Sequence, residues 1–211
     1  MSAQLIEKVI CYIDGFNLYY GVLKNGPYKW LNLERYFRLL RPGDDIQRIR
    51  YFTARIWGPG VKDQDAYLDA LATSPMIDII LGQFKKKRVR GECTQCPLPS
   101  PQFFYKTEEK CTDVNIALWM LHDAHEDLCD QFVLVTGDSD LAPAIGMVKD
   151  CYPQKIVIVY IPAQNRIRGA AVELRTLAHI NRTLPLNLLP HAQFPSAITT
   201  SSGEIRKPAS W

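Results

Sequence analysis

The chain has 211 residues, 47% of them hydrophobic and 22% charged, which is enough apolar material for the core of one globular domain. Its 25 Lys+Arg against 22 Asp+Glu give a net charge of +3, which excludes a histone-like polycation. Six cysteines are too sparse for a disulfide scaffold, and no apolar stretch approaches the ~20 residues of a membrane helix, so a reducing, cytoplasmic setting is expected. The N-terminus runs straight into a strand-like segment without the shape of a signal peptide.

In chain order, residues 8–13 (KVICYI) form a near-continuous apolar run that ends at Asp14-Gly15. Helical spacing follows at 33–40, a strand at 48–56, a helix at 62–72 and a third strand at 76–84. Residues 85–106 read as a basic strand, a Cys- and Pro-containing turn and a return strand, a hairpin inserted in the pattern. A helix at 113–124 places Ile116, Ala117, Met120, Leu121 and Ala124 on one face, with Thr112 as its expected cap. The clearest strands, 131–136 (QFVLVT) and 155–161 (KIVIVYI), each precede a helix, at 141–149 and 170–178. Strands this uniformly apolar are buried on both faces, so the reading is an α/β fold with a mostly parallel central sheet between helix layers. From Leu184 onward periodicity disappears. The domain is therefore expected over 1–183 and an extended tail over 184–211, ordered only if Phe194 and Trp211 dock on the domain.

The informative charges follow strands. Asp14 ends the first, while Asp138 and Asp140 sit in the turn after 131–136, and Asp113 opens a helix. In a parallel sheet the carboxyl ends of strands are where ligands bind. Aspartates at such turns also cap helices, a structural role that each could fill alone. Several converging carboxylates repel one another, and a hard divalent cation such as Mg²⁺ or Mn²⁺ resolves this. Asn17 and Ser139 (with Thr136) add groups able to bind substrate, although each also suits a helix cap. No Ser-His-Asp arrangement, P-loop or G-x-G-x-x-G fingerprint is present. A phosphatase of the haloacid-dehalogenase type needs a second Asp two residues after the strand-end Asp, where Phe16 stands.

Three motifs carry a resemblance. Tyr12-Ile13-Asp14-Gly15-Phe16-Asn17-Leu18, Glu109-Lys110-Cys111-Thr112-Asp113-Val114 and Val135-Thr136-Gly137-Asp138-Ser139-Asp140-Leu141 resemble, in order, the motifs of NYN domains, a branch of the PIN-like ribonuclease superfamily. The resemblance spans roughly 8–180. It implies a three-layer α/β/α sandwich and a metal-dependent endoribonuclease, with Asp14, Asp113, Asp138 and Asp140 as catalytic and metal-binding acids and Asn17 as polar companion. Metal-activated water would leave 5′-phosphate and 3′-hydroxyl ends. Cys111 departs from the Gly or small polar residue of many relatives. Asp63, Asp65 and Asp69 are all candidates for a further acid. The alternative is a non-catalytic RNA- or protein-binding module on the same fold.

Lys85, Lys86, Lys87, Arg88 and Arg90 are the densest positive segment, five cations against a net charge of +3, which leaves −2 for the rest of the chain. They suit RNA phosphates, and Phe103, Phe104 and Tyr105 on the return strand suit base stacking. A solvated edge strand with its aromatics packed beneath is the competing reading. Cys93 and Cys96 have half the spacing of a zinc knuckle. Cys111 is a candidate third ligand for structural Zn²⁺, with Cys129 or a second chain of a homodimer as the fourth. A disulfide and two free thiols remain the alternatives.

Overall fold

Strand β1 (Lys8–Asp14) is buried at every residue but the first. Burying each Ile or Val of such a strand contributes roughly 1.5–3 kcal/mol over leaving it exposed, so a central strand is apolar on both sides. In the computed structural model, which describes residues 7–91, 102–162 and 171–211, β1 lies between two parallel neighbours. These are β2 (Asp45–Thr53) and β6 (Gln131–Val135). Outside them run β3 (Ile77–Leu81) on one flank and β7 (Ile156–Ile161), then β8 (Ile180–Thr183), on the other. The six-stranded sheet has the order β3-β2-β1-β6-β7-β8 and is parallel throughout.

Helices cover both faces. Even and odd residues of β1 point in opposite directions, so Cys11 and Ile13 join one core and Ile10 and Tyr12 the other. The first core is completed by α2 (Leu33–Leu40) and α3 (Val61–Ala72), through Tyr36, Phe37, Tyr67 and Leu68. The second is completed by α4 (Thr112–His125), α5 (Ala142–Cys151) and α6 (Val172–Leu177), through Ile116, Met120, Ile145 and Leu174. The chain winds outward from β1 to β3, then returns to β6 on β1's other side. The winding therefore reverses between β1 and β6, which opens a crevice at their carboxyl ends.

The sequence reading and the structure differ in four places. The third strand is broken at Gly82: β3 ends at Leu81, and β4 (Gln83–Gly91) pairs antiparallel with β5 (Gln102–Lys110) as a separate sheet. A Cβ at Gly82 would lie 2.7 Å from the Lys110 carbonyl oxygen, so the base of this ladder is tightly closed. Thr112 does not cap α4. Cys111 occupies the cap position in a left-handed conformation (φ 78), and the Glu109 carboxylate accepts from the Thr112 amide at 3.2 Å and from its hydroxyl. The short polar edge strand β8 carries no apolar alternation that a sequence pattern could detect.

The fourth difference lies beyond Leu184. That segment forms a 3₁₀ turn (Leu186–Ala192) and a hairpin of β9 (Ala197–Thr200) and β10 (Gly203–Arg206). Leu189, Ala192 and Phe194 are buried in the first core, and Phe194 and Trp211 both pack on Trp30, at ring separations of 5.7 and 6.2 Å.

Candidate active site at the switch point

Asp14, the last residue of β1, is only 2% exposed. Its Oδ1 accepts from the Asn17 amide at 3.0 Å, which makes it the N-cap of the short helix α1 (Gly15–Leu18; the numbering of α2 to α6 continues from it). Its Oδ2 accepts from the Asn17 side-chain amide at 2.5 Å and from the Thr136 hydroxyl at 3.0 Å. Asn17 in turn accepts from the Gly137 amide at 3.1 Å, and Thr136 Oγ1 accepts from the Asp138 amide at 3.1 Å. Asp138 Oδ1 accepts from the Asp140 amide at 3.0 Å, closing the 3₁₀ turn Ser139–Leu141. The ends of β1 and β6 are thus joined through side chains. Asn17 is a bridge between them, not a cap.

Two glycines are needed for this closure. A Cβ on Gly15 would sit 2.7 Å from the Tyr51 hydroxyl and 2.8 Å from the Phe52 carbonyl oxygen, and one on Gly137 would sit 3.2 Å from Asn17 Oδ1.

The electrostatics gather the four acids. Burial raises the Asp14 pKa, against the pull of its three hydrogen bonds, and the Asp138 charge raises it further. Asp113, half-buried at the start of α4, is pushed up to about 6 by burial and then by Asp14, Asp138, Glu109 and Asp140. Asp14, Asp113, Asp138 and Asp140 therefore share one electrostatic neighbourhood. Ser139 stands half-buried between the last two. Asp63 and Asp65 lie on α3, engaged with the Ser210 hydroxyl at 2.6 Å and with Arg55. One of the four acids acting on Asp113 is Glu109, which stands in the second sequence motif but was not among the expected site residues.

The donors are all carboxylate oxygens, which suits a hard divalent cation. Among the described residues no three His, Cys, Asp or Glu side chains stand close enough to enclose an ion as placed. Mg²⁺ requires only one or two direct carboxylates, since it keeps several of its waters.

The β4–β5 ladder begins beside this site. Phe84 packs on Phe16, two residues beyond Asp14, at 5.6 Å, and on Trp57 at 6.3 Å. Strand alternation then sorts the cations. Lys86, Arg88 and Arg90 lie opposite Thr107, Tyr105 and Phe103 on one face, with Lys86 over Tyr105 at 4.5 Å and Arg88 over Phe103 at 4.0 Å. Lys85 and Lys87 share the other face with Phe104, Lys106 and Glu108, where Glu108 pairs with Lys106 and Lys110. Phe103, Phe104 and Tyr105 are all more than half exposed, so the packed-beneath reading of these aromatics does not hold. Among the described residues none of the five cations of 85–90 is in an ion pair with a carboxylate.

Cys93 and Cys96 lie outside the described residues. Cys111 is an exposed free cysteine next to the Gln83–Lys110 end of the ladder, whereas Gly91 ends it eight residue steps away, a run of about 27 Å. Cys129 is buried beneath the sheet.

Two features went unread in the sequence. Asp123 on α4 is fully buried, accepting two hydrogen bonds from Arg50 at 2.8 Å and one from Tyr12 at 2.5 Å, while Arg50 stacks on Trp119 at 3.9 Å. Its heptad-like position on the apolar face gave no sign of a polar partner. The second is a cavity of about 350 Å³ beside Gly15, walled by Phe16, Tyr19, Tyr20, Tyr51, Tyr67 and Trp211.

Acids gathered at the switch point of a parallel α/β/α sandwich define a protein of the PIN-like class. The sequence model of the NYN domain matches residues 8–178, and the chain belongs to that family. The chain is similar to the 6-hydroxy-3-succinoylpyridine 3-monooxygenase HspA of Pseudomonas putida, with 33% identity over 236 aligned positions covering 95% of this chain and 74% of that protein. A crystal structure of a protein of unknown function from Vibrio parahaemolyticus shares the fold, with a TM-score of 0.53 and 18% identity over 87% of this chain and 95% of that one. Among the described residues no helix is long and apolar enough to cross a membrane.

Proposed function

We propose that the chain is a metal-dependent endoribonuclease whose site is the acid group Asp14, Asp113, Asp138 and Asp140. The observation that carries this is the side-chain network that joins Asp14 at the end of β1 to Asp138 and Asp140 after β6 at the reversal point of the sheet, with burial and four neighbouring acids raising the Asp113 pKa to about 6. A binding module gains nothing from gathered like charge, whereas a phosphodiesterase needs it. These acids would hold a Mg²⁺ or Mn²⁺, which would supply charge neutralisation at the phosphate. Asn17 and Thr136 hold the Asp14 carboxylate in one orientation, with both oxygens hydrogen-bonded. Asp113, whose pKa burial and its acidic neighbours raise to about 6 in the metal-free chain, can serve as the base for water approaching phosphorus. Ser139 offers a hydroxyl to the phosphate. Lys86, Arg88 and Arg90, with Phe103 and Tyr105, form a strip of cations and rings along which a single strand runs towards Phe84 and the acids.

The test is cleavage of single-stranded and structured RNA with Mn²⁺, with EDTA, and by Asp138→Asn. Cleavage leaving 5′-phosphate ends, abolished by EDTA and reduced roughly 10²–10³-fold by the substitution, is expected. Cleavage indifferent to both would refute the mechanism, and RNA binding without cleavage would favour a non-catalytic module.

A second reading rests on the Pseudomonas relative, whose name assigns it oxygenation of a hydroxypyridine. It is tested by adding 6-hydroxy-3-succinoylpyridine, a reduced nicotinamide and air. Substrate-dependent oxygen uptake would favour that chemistry over hydrolysis.

A further inference from the structure

The aromatic cavity beside Gly15 has no part in the hydrolytic reading. Its volume of about 350 Å³ is at the small end of sites for small molecules, enough for one ring system with its substituents and too small for a polypeptide or folded nucleic-acid segment. The walls are flat. Tyr51 and Tyr67 close the inner side, their rings 6.2 Å apart and near-perpendicular, and Trp211 lies 5.5 Å from Tyr67. Tyr20, 61% exposed, stands at the mouth with the Lys24 ammonium 4.8 Å over its ring. Lys29 also lines the space, half-buried and without an ion-pair partner among the described residues.

Rings offer faces for stacking a planar π-system, and two lysines in the lining against the single Asp63 favour negative charge. Asp63 and the Ser210 hydroxyl, hydrogen-bonded to each other at 2.6 Å, are among the polar groups of the lining, able to meet a ring hydroxyl or N–H. Trp211, from the segment beyond Leu184, completes the enclosure, so that segment is part of the site.

We infer that this cavity binds a small planar aromatic anion, with the ring against the aromatic walls and the anionic group at Lys24 and Lys29. The inference rests on neither reading of the acid site. Two sources share this chemistry: a mononucleotide and a hydroxylated aromatic carboxylate.

The experiment titrates the full chain, in EDTA, with UMP, AMP and 6-hydroxynicotinate, followed by tryptophan fluorescence and calorimetry. Saturable binding of at least one is expected, weakened about tenfold by Tyr20→Ala and by Lys29→Ala. Both side chains reach the surface, and thermal melts verify that the variants fold. Binding confined to the nucleotides would assign the ring to a base, and binding confined to 6-hydroxynicotinate would assign an aromatic acid. Saturation by none of the three, or wild-type affinity in both variants, would overturn the inference. Because EDTA is present throughout, a failure to cleave RNA leaves the result intact.

Discussion

Asp113 carries the strongest consequence for pH. Its folded pKa of about 6 stands above the 3.8 of a free aspartate, so between those values the folded chain holds a proton that the unfolded chain has released. Stability therefore falls as pH rises from about 4 to about 6, and the penalty is complete above that window. In EDTA, Asp113→Asn should melt higher than wild type at pH 7, with the two curves converging below about pH 4, where Asp113 is protonated in the folded and unfolded chain alike. Identical pH profiles would mean that Asp113 is not crowded by charge. Cys111 has a backbone consequence instead. At φ 78 a side chain is strained, and Cys111→Gly should stabilise the protein by about 1 kcal/mol in urea unfolding. The departure from Gly or a small polar residue at this position thus carries a cost in this chain. Asp14 and Asp138 were legible in sequence because they directly follow apolar runs. The hydrogen bonds from Asn17 and Thr136 were not, since they depend on β1 and β6 being neighbours.

At the scale of elements, the β4–β5 ladder shows what composition cannot say. Five cations in six residues are visible in the sequence, but which of them share a face with the aromatics depends on register. The register puts Phe103 and Tyr105 with Lys86, Arg88 and Arg90, and Phe104 with Lys85 and Lys87. RNA affinity measured by filter binding should fall about 10-fold or more in Tyr105→Ala, and much less in Phe104→Ala. Arg88→Ala should lower the slope of log affinity against log salt by about 1. Equal losses on both faces would deny the strip a direction. The helix at 113–124 was readable from its apolar stripe, yet Asp123 within it was not. Removing Asp123 leaves the buried Arg50 with only the partly exposed Asp78 at 3.0 Å and leaves Tyr12 without its acceptor, so Asp123→Ala should cost about 3 kcal/mol by urea denaturation.

For the whole molecule, alternating strands and helices made the α/β class and its parallel sheet legible, because strands buried on both faces have few polar positions. Strand order was not, since no local pattern reports which strands pair. The turns and hairpin beyond Leu184 were unreadable for a related reason, although Phe194 and Trp211 were recognisable as the side chains that would dock. These elements lack periodicity, and the segment's contribution comes from single side chains, Phe194 and Trp211, that meet Trp30 across the fold. Placing β1 beside β6 turns three sequence motifs into one crevice, with an aromatic cavity beside Gly15 at the end of β1. The most direct test is a calorimetric titration of the chain with Mn²⁺ at pH 5 and pH 7, beside the Asp113→Asn/Asp138→Asn double variant. The account predicts binding to wild type that is tighter at pH 7, because protons no longer compete for the acids, and that is lost in the double variant. Absent binding at pH 7, or equal affinity in the double variant, would contradict it.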